Sequence, residues 1–395
     1  MTKEKLSELN IGDNLDQLMN LDPRGYGVCR ILYAGSRAHT GEPLTMHCAK
    51  ELVKAIQPGD LVYIMTGFIL RPHKVPEMDG IVSTILLCRA LVEAFNCKPV
   101  IICPEDNVVA IKNCAPVIGL HLYEDLDTLC DLPMAMGVIP FTKDADEAAT
   151  CADHILTMGI PKALITIEAP GANEYGEYHN AIGVNVTELE AKMDILFDKI
   201  KAKGILTMSI GDLGNEIGMG TIGEHIRKYI PYTDKNQCKC DCKGGILART
   251  KAEHIITATT SDWGCFGLIG ALAYQLKNIR VMHDASMQAE VMTVASRSGM
   301  IDMTGSLLPG VDGFNIDMNS TIVSLMRQCV EYGIGYENET WFANVIDKNF
   351  YRLTGEPAIC GDVLFEEGLD GAKTIDRSGY EQSQNINSRG ICVMC

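Results

Sequence analysis

The stretch ILTMSIGDLGNEIGMGTIGEHIRKYI, residues 205–230, decides the fold. Its first six residues are an apolar run that predicts a buried strand, and its last ten predict a helix. Between them SIGDLGNEIGMG, residues 209–220, places four glycines and two acids. A strand that closes on a glycine-rich turn and opens a helix is the repeating piece of a parallel sheet. The turn needs its glycines. It does not need Asp212 and Glu216, and those two carboxylates raise the question of chemistry.

Working outward, the same alternation recurs. DLVYIMTG (60–67), KPVIICPEDN (98–107), ALITIEAPG (163–171) and EHIITATTSDWG (253–264) predict strands, the last running into a turn. GIVSTILLCRALVEAFNC (80–97), VVAIKNCAPVIG (108–119) and DADEAATCADHILTMG (144–159) predict helices. TELEAKMDILFDKIKAKG (187–204) predicts a long helix, with Thr187 as N-cap, Glu190 at capping-box spacing and Gly204 at its end. Three more helices follow, over 265–276, 284–299 and 319–333. The expected class is α/β: a largely parallel sheet with helices on both faces and extra helices toward the C-terminus. A lead-in over 1–58 is expected to pack on a main domain over 59–355. Residues 356–395 read as a polar, glycine-rich tail.

Composition narrows the function. The chain has 395 residues, 47% hydrophobic and 22% charged, enough for a large core without disulfides. Its 34 basic against 51 acidic residues give a net charge of −17, so no broad positive field draws nucleic acid or an anionic membrane. No apolar run reaches membrane-spanning length, and the polar opening predicts no secretory signal. Sixteen cysteines without a framework spacing then read as reduced thiols in a cytoplasmic protein. A small-molecule partner is expected, and a homo-oligomer is compatible with the sequence.

In a parallel sheet, ligands gather beyond the carboxyl ends of the strands. Four strand ends here deliver acids or amides: Arg71, His73, Glu77 and Asp79; Glu168, Asn173, Glu174, Tyr178, His179 and Asn180; Asp212, Asn215 and Glu216; Ser261, Asp262 and Trp263. The plain alternative is that these residues cap turns and helices. A phosphate cradle fits poorly, because acids in the 211–220 turn repel phosphate. A cation or an ammonium group suits them, and the helix beyond Met219 and Gly220 could hold a carboxylate. CKCDC, residues 238–242, lacks the C-x₂₋₄-C spacing of structural zinc, and reads as a pliable loop with free thiols. A metal site pairing it with Cys392 and Cys395 is the alternative.

Taken in order, these motifs resemble one family, the D-glutamate cyclases and their bacterial relatives. TGFILRPHKVPEMDG (66–80) is similar to the family's strand and loop ending in acid-x-Asp-Gly, and IEAPGANEYGEYHNAIGVNVT (167–187) to its Glu, Gly and Tyr segment. The family's GIGDGGNEIGMG stands here as SIGDLGNEIGMG, and its SNWG as SDWG. Leu213 and Asp262 are therefore departures.

The resemblance implies cyclisation of D-glutamate to 5-oxo-D-proline with loss of water. It implies Asp212 and Glu216 as acid and base, and Asn215 or the backbone at Gly218 and Gly220 as oxyanion donors. Asp79 and Glu168 become candidates to hold the ammonium or a divalent metal, and Asp262 and Tyr178 further substrate contacts; Arg71 is a candidate for the α-carboxylate that the family pattern does not fix. Mn²⁺ or Mg²⁺ would suit Asp212, Glu216 and Asp79. The alternatives are a metal-dependent lyase or hydrolase for another small carboxylate, and a non-enzymatic small-molecule or metal-binding protein.

Overall fold

Short apolar runs, most of them followed by a helix, assemble into one seven-stranded sheet. The computed structural model describes residues 3–234 and 237–335. The strands are β1 (Leu61–Thr66), β2 (Lys98–Pro104), β3 (His121–Tyr123), β4 (Ala135–Phe141), β5 (Ala163–Ile167), β6 (Leu206–Gly211) and β7 (His254–Thr257). All pair in parallel, in the order β3-β4-β2-β1-β5-β6-β7. The chain works outward from β1 to one edge, then returns to lay β5 against the other side of β1. That reversal opens a crevice beyond the carboxyl ends of β1 and β5, where a sheet of this kind binds its ligands.

The sheet is buried on both faces, as a parallel sheet requires. Val62 and Ile64 of β1 join one core cluster, while Tyr63 and Met65 join the other. On the first face the helix Ser261–Gln275 is buried along nearly its whole length and lies among Leu44–Ala55, Ile81–Phe95 and Ile316–Gly335. That position explains why its sequence is apolar on all sides. Val28–Thr40, Ala145–Met158, Asp194–Ala202 and Gly223–Tyr229 contribute to the second core.

Three readings change. Strands β3 and β4 were not expected. β4 contains Pro140, which lies beyond the part paired with β3, where the strand is paired on the β2 side alone. The helix expected over 187–204 begins only at Asp194. Thr187 does not cap it: its hydroxyl donates to Glu177 at 2.6 Å and accepts from Tyr178 N–H at 2.9 Å. Glu190 turns away to accept from Ile69 N–H at 3.2 Å. Finally, residues 261–263 are the first turn of a helix rather than a loop.

The chain divides into two compact units: residues 8–335, which carry the sheet, and residues 1–7 with 336–395, of which only 3–7 are described. The expected tail, with Cys392 and Cys395, lies outside the described residues. No helix among the described residues is long and apolar enough to cross a membrane.

Candidate active site

Beyond the carboxyl ends of β1, β5, β6 and β7, six carboxyl groups (Glu77, Asp79, Glu168, Asp212, Glu216 and Asp262) gather with a seventh, Asp312. They fall into two sets by what their oxygens touch. The first set is bound to backbone. Asp79 accepts from Gly80, Ser261 and Asp262 N–H at 2.8–3.0 Å. Asp262 accepts from Gly80 and Ser83 N–H, both at 3.0 Å. Each aspartate thus caps the helix that follows the other, and the two helices are locked at their N-termini. Glu216 accepts from Asp212, Leu213 and Gly214 N–H at 2.6–2.8 Å, so it shapes the turn quoted above from inside.

Two glycines permit this packing. Gly80 has φ +79°, and a Cβ there would meet Glu168 Cβ at 2.6 Å. A Cβ on Gly211 would meet the Glu216 carboxyl carbon at 2.7 Å.

The second set faces a cavity of about 310 Å³ lined by Glu77, Glu168, Asp212 and Asp312, together with Arg24, Asn215 and Leu213. Phe68, Leu70, Tyr26 and Met303 supply apolar wall. Glu168 is held at φ +45°, an uncommon conformation for a non-glycine residue, and Ser261 Oγ donates to it at 2.6 Å. Asp312 sits at φ +54° in the two-residue Asp312-Gly313 turn of the hairpin Gly310–Val311/Phe314–Asn315. Asp212 and Asp312 bring carboxyl oxygens within 4.8 Å of each other, with Asp79 as close to both.

Burial, then the fields of Glu168, Asp312 and Asp79, hold the Asp212 carboxyl well above the usual carboxylate range. Burial comes first for Glu168 as well, followed by Glu216 and Asp79, and for Glu77 it is followed by Asp312 and Asp302. Burial also raises Asp79 and Asp312. It pushes Asp262 up to about 7 against the hydrogen bonds that favour its charged form. Two like charges ~4 Å apart at an effective dielectric of ~20 repel by ~4 kcal/mol, equivalent to ~3 pKa units. The cluster therefore keeps protons at neutral pH or takes up a cation.

Arg24 answers this charge from the loop before the sheet. It donates to the Asp312 carboxylate at 3.2 Å, and to the Asp312 and Thr259 carbonyls at 2.8 Å. Burial works against its charge, but Asp312, Asp212 and Asp79 more than offset this and its pKa is raised. Its buried Nε–H has no acceptor among the described residues.

Several expected site residues stand elsewhere. Arg71 is exposed in the turn of the small hairpin Ile69–Leu70/Val75–Pro76 and does not line the cavity. Tyr178 is buried against Asp194, which also pairs with Arg249 at 2.7 Å. Gly218 N–H donates to Thr250 Oγ1 at 2.8 Å and Gly220 N–H to the Thr250 carbonyl at 2.9 Å, so neither is open to an oxyanion. Asn215 does line the cavity, with one Nδ2 hydrogen on the His179 carbonyl at 2.9 Å. Arg24, Thr259 and Asp312 were missed; only Asp312 carried a signal, the Asp-Gly turn in GVDGFN.

For a divalent cation, Asp79, Asp212 and Asp312 bring oxygens within 4.8 Å of one another, as do Glu168, Asp212 and Glu216. An all-oxygen set fits Mg²⁺ or Mn²⁺.

Comparison with known proteins gives two findings. A family model described as D-glutamate cyclase-like, C-terminal, matches residues 15–327. The mitochondrial D-glutamate cyclase of Homo sapiens is 26% identical over 269 residues, covering 65% of this chain and 38% of that protein.

Proposed function

The chain belongs to the D-glutamate cyclase-like family, and on that premise we propose that it is a lyase that closes D-glutamate into 5-oxo-D-proline and water. The observation that carries this reading is the close carboxyl pair Asp212–Asp312, facing the same cavity as Arg24.

The reaction needs the amine to lose its charge and attack the side-chain carboxyl carbon. The C–N bond forms, one C–O bond breaks, and the oxygen leaves as water. The nitrogen gives up two protons in all and the departing oxygen takes two, so the site ends in the protonation state in which it began. A close pair of carboxyl groups suits that exchange, with one member accepting from the ammonium while the other donates to the oxygen. We assign acceptance to Asp212 and donation to Asp312.

Glu77 and Glu168 are the groups to hold the ammonium, and Arg24 the group to hold the α-carboxylate. Folding the substrate so that its amine meets its own carboxyl supplies much of the remaining rate. A divalent ion held by Asp79, Asp212 and Asp312 would neutralise the reacting carboxyl and polarise its C–O bond. Without such an ion Asp79 acts as scaffold, as Glu216 does, because their oxygens already accept backbone N–H groups. Asp262, which motivated a different carboxylate substrate, does not line the cavity.

The test is direct. Purified full-length chain is mixed with D- or L-glutamate, without metal and with Mn²⁺ or Mg²⁺, and 5-oxoproline is followed by chiral chromatography and mass spectrometry. Product from D-glutamate is expected. No turnover of either enantiomer under any of these conditions overturns the proposal.

A further inference from the structure

The polar insertion around CKCDC does not stay a free loop. Cys238, Cys240 and Cys242 close on His179 from the segment after β5, and the four ligand atoms all lie within 4.8 Å of one another. Cys238 Sγ is 3.5 Å from Cys242 Sγ and 3.7 Å from Cys240 Sγ. His179 Nε2 is 3.2 Å from Cys240 Sγ and 3.5 Å from Cys242 Sγ. A tetrahedral zinc with Zn–S ~2.3 Å and Zn–N ~2.0 Å has edges of about 3.8 Å between sulfurs and about 3.5 Å between nitrogen and sulfur. These four edges lie within about 0.3 Å of that tetrahedron, and the other two are under 4.8 Å. They are far too long for a disulfide, whose sulfurs lie ~2.05 Å apart.

The surroundings support thiolates. Asn173 Nδ2 and Gly244 N–H both point at Cys242 Sγ at 3.4 Å. N–H donors aimed at sulfur are the outer partners that metal-bound thiolates attract. Lys239 and Lys243 against Asp241 give residues 238–243 one net positive charge to set against three thiolates on one zinc. His179 Nδ1 is buried with no hydrogen-bond partner among the described residues, while Nε2 is turned to the sulfurs. Three sulfurs and one imidazole select a borderline-soft ion, in contrast to the all-oxygen cavity.

We propose that His179, Cys238, Cys240 and Cys242 bind one structural Zn²⁺. The ion clips the insertion to the segment that walls the acidic cavity. Asn180, Ala181 and Ile182, directly after His179, line that cavity, and Asn215 holds the His179 carbonyl. The insertion is fastened at two further points, Lys239 N–H to Gly183 and Asn173 Nδ2 to the Gly245 carbonyl. The clip stands whatever reaction the cavity performs.

Full-length chain is purified without chelator from zinc-supplemented cells, and its metal content is measured. About one zinc per chain is expected in the wild type, and less than about a tenth of that in Cys240→Ser and His179→Gln. Because those variants can fail to fold, wild-type protein is also exchanged with Co²⁺. Near-ultraviolet sulfur-to-cobalt charge transfer with the visible bands of tetrahedral cobalt is expected; cobalt on carboxylates gives no such charge transfer. The proposal is overturned if the folded wild type carries no zinc and all three thiols react freely. It is also overturned if Cys240→Ser retains full zinc, or if cobalt binds without charge transfer.

Discussion

Carboxyl groups of one chemical kind, gathered within one site, divide into those that face the cavity and those that hold the backbone around it. Asp212 and Glu216 lie four residues apart in the same turn. One lies beside Asp312 and lines the cavity, and the other accepts three backbone N–H groups beneath it. Capping and chemistry are therefore not rival explanations of this acid-rich turn. The backbone-bound acids fix the turn, and the fixed turn presents the cavity-facing acid.

That division is broken or sharpened by substitution. The largest effect is expected at Asp212. Asp212→Asn removes a proton-transfer group and should lower D-glutamate turnover by about 10²–10⁴-fold. Its melting temperature should not fall, because the variant relieves like-charge repulsion. A clear loss of stability would move Asp212 into the backbone-bound set.

Arg24→Gln comes next. Loss of a charge-assisted carboxylate contact, at ~1.5–3 kcal/mol, should raise KM for D-glutamate by about 10–100-fold. Arg71→Ala should leave KM unchanged. Equal effects from the two would return the carboxylate contact to the exposed hairpin.

Glu216→Gln should behave oppositely to Asp212→Asn. Its amide end must turn a donor toward backbone donors, costing ~1–3 kcal/mol for each stranded group. Urea unfolding of both variants checks the contrast, and a fully stable Glu216→Gln chain would defeat it.

The smallest effect is expected at Asp262, whose carboxyl is pushed up to about 7 by burial. The folded chain keeps a proton there that the unfolded chain has lost above about pH 4. Stability contributed at this position therefore falls as pH rises from about 4 to about 7, then stays level. Asp262→Asn keeps an oxygen for Gly80 and Ser83 and removes the charge. It should raise the melting temperature by roughly 2–4 °C at pH 8 and have little effect at pH 4. Thermal scans at both values decide, and a lower melting temperature at pH 8 contradicts the assignment.

The fold was legible where apolar runs were long and uninterrupted, as in 61–66, 163–167 and 205–210. It was hidden in 135–141, where Gly137 and Pro140 interrupt the run, and in the three residues of β3. Thr187 and Glu190 had capping-box spacing, but tertiary partners at Glu177 and Ile69 won them. The strand ends pointed to the cavity, which Glu168 and Asp212 line. Arg24 was not found, because its partners Thr259 and Asp312 lie 235 and 288 residues away along the chain. His179 as fourth partner of the cysteines was hidden for the same reason, since only folding brings it to Cys240, 61 residues on.

The central claim is that the cavity-facing acids perform lactam formation while their backbone-bound neighbours do not. It is tested most directly by measuring 5-oxo-D-proline formed from D-glutamate by the wild type and Asp212→Asn, side by side, with both shown to be folded. The account predicts product from the wild type and a loss of at least about 10²-fold in the variant. Equal product from the two would contradict it, as would a folded wild type that forms none.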